Sequence, residues 1–178
     1  MYPFLRMIIQ LITIRNLPRI GVTETHVSRH MCMPWDLDIW LELNNGRTLT
    51  IFDLGRIPLA VRVGLTTLLK EHRWGLTVAG SSVRYRRRIR MFEVVEMKSR
   101  GVCWDDKFFY LEQSMWKKNG ECANHAMYRT AITDKNGIVP PIKVMEALGA
   151  ANINPEMPAW FAAWIAAEDQ RPWPPMQD

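Results

Sequence analysis

Residues 35–56 read W-D-L-D-I-W-L-E-L-N-N-G-R-T-L-T-I-F-D-L-G-R, from Trp35 to Arg56. Asp36 and Asp38 follow a strand-like stretch, Val22–Met33, that Pro34 closes. In an extended chain residues two apart share a face, so both carboxylates are expected to point the same way. Asn44-Asn45-Gly46 supplies turn and capping chemistry. From Thr48 to Lys70 the run of apolar residues predicts a helix buried nearly all round, and Gly55 and Pro58 predict a break into two pieces there. A carboxylate held beside the N–H groups of a helix start suits attack on a carbonyl carbon. A carboxylate there would serve as base or nucleophile, and the Asn45 and Gly46 N–H groups would stabilise the oxyanion.

Downstream the chain is strand-rich. Leu76–Met91, Glu93–Asp105, Lys107–Trp116 and Cys122–Thr133 are the candidates, with a hairpin at Asn119-Gly120. Strand, helix, then four strands argues for an antiparallel α+β domain. Short helices are expected from Pro141 to about Leu148 and over Pro158–Glu168, before a Pro-rich, frayed end at Arg171–Asp178. This organisation divides the chain into an N-terminal amphipathic segment (1–20), a central domain (21–134) and a C-terminal helical extension with its tail (135–178).

The pattern D-x-D followed by N-N-x-R (Asp36, Asp38, Asn44, Asn45, Arg47) resembles the acyl-CoA thioesterases of the 4-hydroxybenzoyl-CoA thioesterase class. The later G-x-x-W-D-D-K-x-F-Y-L-E, Gly101 to Glu112, is similar to the branch of that family related to thioesterase superfamily member 6. The resemblance covers roughly Val22 to Ile132. It implies the hotdog fold, a curved antiparallel β-sheet wrapped around a long central helix, and hydrolysis of acyl-CoA. It also implies that Asp38, the second aspartate of the motif, is nucleophile or base. The cleft would lie between protomers of a homodimer or homotetramer, and no cofactor is implied, CoA being part of the substrate. Two positions depart from the family: Glu42 stands where it often has histidine, and Thr48 where many members have an aromatic residue.

Glu42 is then either a second carboxylate beside Asp38 or a surface residue of the turn. Asp53 and Arg56 are one helical turn apart and can pair; under the hotdog reading Asp53 faces the substrate cleft. In Arg84-Tyr-Arg-Arg-Arg-Ile-Arg90, alternation places Arg84, Arg86, Arg88 and Arg90 on one strand face. That face is either solvated, with dimer contacts, or a site for the CoA phosphates. Lys107 carries over from a basic cluster that meets CoA in the hydroxybenzoyl-CoA enzymes, while Asp105 and Asp106 replace its other bases and can simply build the turn.

The net charge of +5 is uneven: residues from Ala150 onward carry −3, so the first 149 carry +8, a balance that favours an anionic partner. Nucleic acid is disfavoured because Tyr85 and Phe92 are too few for a stacking platform. The four histidines lack metal-ligand spacing, so no metal is expected. Three cysteines without C-x-x-C spacing point to a reducing compartment and a cytoplasmic location. The apolar N-terminus is either an amphipathic helix packed on its own protein or a weak membrane-surface contact with Arg6 and Arg15 at the lipid interface. The rival to an enzyme is a non-catalytic CoA- or lipid-binding hotdog protein.

Overall fold

A computed structural model describes residues 2–176. Met1 and the last two residues of the expected frayed end, Gln177 and Asp178, lie outside the described residues. Helix α1 (Phe4–Ile14) leads into β1 (His26–Met31), a short 3-10 turn over Pro34–Asp36, and the long helix α2 (Asn45–Val63). Then come α3 (Leu65–His72), β2 (Gly75–Tyr85), β3 (Val94–Trp104), β4 (Phe109–Trp116), β5 (Cys122–Asp134), β6 (Gly137–Val139), α4 (Pro141–Ala147) and α5 (Ala159–Asp169). The strands form one antiparallel sheet in the order β1-β3-β4-β5-β2, with β6 added on β5. This is the hotdog arrangement.

Strand alternation sets which side chains meet α2. Ile51 and Phe52 of the helix pack with Val95 and Met97 of β3, Met115 of β4, and Ala123, Ala126 and Tyr128 of β5. The helix comes so close to the sheet at Gly55 that a Cβ there would lie 2.4 Å from Met97 Sδ and 2.7 Å from Ser99 Oγ. Gly55 is thus a contact glycine and not a breaker. Pro58 does not end the helix either, because Leu54 and Leu59 on its two sides are both buried and packing holds the turn together. The break expected at these two residues falls instead at Gly64, which takes φ +90 as the left-handed C-cap.

The convex face of the sheet carries α5, whose Phe161 ring is tilted against that of Tyr110 and whose Trp164 ring meets it edge-on. Elsewhere the boundaries moved. The first strand begins at His26 and not Val22, β6 had no counterpart in the expected strands, and β2 stops at Tyr85 rather than Met91. It stops because the chain turns there: the Arg86 and Arg87 N–H groups both donate to the Ala123 carbonyl. Asn119-Gly120 makes the expected hairpin, with Gly120 at φ +85.

The inward face of β1 is polar. His26, Ser28 and His30 are all buried, Ser28 Oγ lies 2.8 Å from His30 Nε2, and Arg62 Nη1 lies 3.2 Å from His26 Nδ1. Burial, then the nearby Arg62 charge, lowers the His26 pKa to about 4. Burial, then the charges of Arg6 and His26, lowers His30 to about 3. Both rings are therefore neutral in the native protein near pH 7.

Candidate active site

Asp36 and Asp38 do not share a face. Pro34–Asp36 is a 3-10 turn, so the two-residue period of an extended chain does not apply. Asp36 is fully buried and held by four donors: Arg47 Nε and Nη2 at 3.1 and 2.8 Å, Arg6 Nη1 at 2.6 Å, and the Met33 N–H at 3.0 Å. Burial alone would raise its pKa, but these donors outweigh burial and leave it lowered. Asp36 is an anchor that ties α1, β1 and the start of α2 to one point.

Asp38 lies in a small antiparallel excursion. Leu37 bridges to Leu43, the Asp38 N–H donates to the Glu42 carbonyl at 2.9 Å, and the Asn44 N–H donates to the Asp36 carbonyl at 2.9 Å. The tip, Ile39-Trp40-Leu41, is 71–86% exposed, with Leu41 at φ +57. One Asp38 oxygen, Oδ1, accepts from the Trp40 N–H at 2.8 Å and, at a longer 3.4 Å, from that of Glu42. Its Oδ2 has no partner among the described residues. Glu42 is engaged by an arginine: its carboxylate pairs with Arg88 Nε at 2.8 Å.

The start of α2 follows directly. The Asn44 side chain caps it, accepting from Gly46 N at 2.8 Å and Arg47 N at 3.2 Å. The Gly46 N–H, expected to face a substrate carbonyl, is thus already engaged by the cap. The Asn45 N–H has no acceptor among the described residues, and it carries the positive end of the helix dipole. Tyr85, at the end of β2, reaches the Asn45 carbonyl at 3.5 Å.

The structure sorts the remaining candidates by place. Arg86 and Arg88 line a hollow with Glu42, Asn45, Tyr85 and Asn124, next to the helix start. Arg84 is still in β2 and lies on the opposite sheet face from Val83 and Tyr85, so it is not part of this hollow. Arg87 pairs with Glu121 at 2.8 Å, whereas Arg86 has no carboxylate partner among the described residues. Asp53 sits eight residues down α2, about 12 Å along its axis from Asn45. It is paired with Arg56, which also donates to Gln113 Oε1 at 3.0 Å and lies 4.2 Å over the Tyr128 ring. Burial raises the Asp53 pKa against the opposing pull of Arg56. Lys107 lies in the β3–β4 turn, which Asp105 builds by accepting from the Lys107 and Phe108 N–H groups, each at 2.7 Å. That turn is at the far end of the sheet from Asn45, since Glu96 pairs with Trp116 at the near end and Trp104 with Phe109 at the far one.

A family profile described as the thioesterase-like superfamily matches residues 32–165. The chain belongs to that superfamily. It is similar to Protein THEM6 of Drosophila melanogaster, 31% identical over 82% of this chain and 75% of that one. Among solved structures it superposes on YbaW, a probable thioesterase from Escherichia coli, at TM-score 0.65 and 16% identity over 70% of this chain and 96% of that one. A hypothetical protein from Staphylococcus aureus, solved in complex with CoA, superposes at TM-score 0.64 and 10% identity, covering 79% of this chain and 92% of the other. At those identities the two structures attest the hotdog fold.

Tyr85, Asn124 and the apolar tip 39–41 stand at the site without being among the residues expected there. Tyr85 had a signal, its place just before the arginines at a strand end. Asn124 had none, because its position depends on how β5 pairs with β2.

Proposed function

We propose that this member of the thioesterase-like superfamily hydrolyses acyl-CoA thioesters. The observation that carries the reading is that the loop holding Asp38, whose Oδ2 has no partner among the described residues, runs directly into the start of α2, where the Asn45 N–H has no acceptor among the described residues. The thioester carbonyl would accept from the Asn45 N–H. Asp38 would take a proton from water as it adds, or add to the carbonyl itself to give a mixed anhydride that water then cleaves to the free acid; either way the C–S bond breaks and CoA leaves as thiolate. Gly46 supports this N–H indirectly, through the cap, and Glu42 acts by holding Arg88 in the hollow. Arg86 and Arg88 would take the CoA phosphates, in line with the CoA bound to the Staphylococcus aureus protein. The apolar tip 39–41 would meet the acyl chain or the second protomer. The test is release of free CoA from a panel of acyl-CoAs.

Homodimerisation belongs to the same proposal. β2 is an eleven-residue edge strand with no charge or proline from Leu76 to Val83, and native edges of that kind are normally covered. Antiparallel pairing of two β2 strands would bring the far end of one sheet beside the near end of the other. The partner subunit's Lys107 would then approach this site, which its own Lys107 does not reach. Val78→Lys, on this edge at 45% exposure, should reduce the mass seen by light scattering to the 20.8 kDa of one chain. An unchanged dimer mass would remove β2 as the interface.

A second reading, CoA binding without turnover, has one observation in its favour: Asp38 Oδ1 already serves its own turn. Binding of CoA with no release of thiol from any acyl-CoA would select it.

A further inference from the structure

Helix α1 packs Met7 and Ile14 inward, and its one charged residue, Arg6, turns in to Asp36 and the Met31 carbonyl. Arg6 therefore does not point to solvent, as an interfacial role for it would require. What α1 presents outward is mostly apolar; the exceptions are Gln10, partly exposed, and Thr13, exposed with its hydroxyl donating back to the Ile9 carbonyl. Leu5, Ile8, Ile9 and Ile12 follow i, i+3, i+4, i+7 spacing on one stripe, with Phe4 beside them, and all five are 50–72% exposed. Trp35, 64% exposed, extends the patch: it lines a hollow with Tyr2, Phe4 and Leu5. The five α1 residues alone expose on the order of 500 Å² of apolar surface, within the range of the largest patch on a typical monomer, a patch that is often functional.

We propose that this face of α1, with Trp35, docks on an anionic lipid surface, the helix lying in the plane of the interface. Charge complementarity argues for lipid. No acidic residue occurs from Tyr2 to Thr23, and Arg15 and Arg19, both exposed, follow directly on the helix. A short apolar stripe with a basic rim is the composition of an interfacial helix. A second copy of the chain is the competing occupant, and the oligomeric mass separates it from lipid. At eleven residues α1 is too short to cross a bilayer, so the contact proposed for it is peripheral. The proposal does not depend on thioester hydrolysis.

Co-sedimentation of the full chain with phosphatidylcholine–phosphatidylserine vesicles, about 7:3 by mole, tests it against phosphatidylcholine alone and across a salt series. Wild type should sediment with the anionic vesicles, less so as salt rises. Leu5→Gln/Ile12→Gln, at two solvent-facing positions, should cut the bound fraction about tenfold with the circular dichroism spectrum unchanged, and Arg15→Gln/Arg19→Gln should remove the preference for anionic lipid. Three results would overturn the proposal. They are failure of wild type to bind either vesicle; binding by the Leu5/Ile12 variant equal to that of wild type; and a lower oligomeric mass for the variant while wild type ignores lipid, which would make α1 a protein interface.

Discussion

Lowering the pH from 7 to 5 is expected to remove about 4 kcal/mol of folding stability, through His26 and His30 alone. Both are buried on the inward face of β1, at 1% and 4% exposure. Their native pKa values, about 4 and about 3, lie below the ordinary value of about 6.5 that the unfolded chain regains. The unfolded state therefore binds more protons across this window, and stability falls as pH drops from 6.5 towards the native values. At pH 5 each ring contributes a penalty of about 2 kcal/mol. The groups facing them, Arg62 beside His26 and Arg6 near His30, are cations that stay charged throughout, so they do not offset the loss. Urea unfolding at pH 7, 6 and 5 reads the slope directly. His26→Gln/His30→Gln should start from lower stability but lose little of it with acid; a slope as steep as wild type would mean that other groups carry the dependence.

Asp36→Asn is expected to cost about 3 kcal/mol at pH 7. The carboxylate is wholly buried, and its removal leaves Arg6 and Arg47, each under a fifth exposed, without their shared counter-ion. Some of that loss is recovered because both guanidinium groups retain a path to water, which places the figure at the low end for a broken buried pair. The native pKa of Asp36 is lowered, so its contribution is present above about 3.9 and disappears as pH falls through the native value. The penalty of the variant should therefore shrink in strong acid. A fall in the urea midpoint with an unchanged m-value would match this account; a loss under 1 kcal/mol would mean that the Met33 N–H and the asparagine amide suffice to hold the knot.

Much of the fold was legible because its signals are local. Asn119-Gly120 specifies a hairpin, Asn44 a cap, and the apolar run after it a buried helix. The break in that helix was misread because glycine and proline carry two meanings. Gly55 is small to let Met97 and Ser99 approach, and only the packed sheet reveals it, whereas Gly64 is the residue placed at φ +90. The arginine run departs from its expected face for a similar reason. Alternation holds only while the strand lasts, and β2 ends at Tyr85 when two N–H groups turn to Ala123. The roles of the two aspartates could not be separated in sequence either. The difference lies in Arg6, thirty residues from Asp36 and on another element.

The measurement that bears most directly on the proposed hydrolysis is free-CoA release from an acyl-CoA panel by wild type and Asp38→Asn, side by side. Loss of a positioned base or nucleophile predicts a drop of about 10²- to 10⁴-fold in kcat. The unfolding midpoint should move little, because the asparagine carbonyl can still accept from the Trp40 N–H. Hydrolysis by wild type that collapses in the variant is the predicted result. Equal rates in both would contradict the role given to Asp38, and wild type that releases no CoA from any substrate would contradict the hydrolase itself.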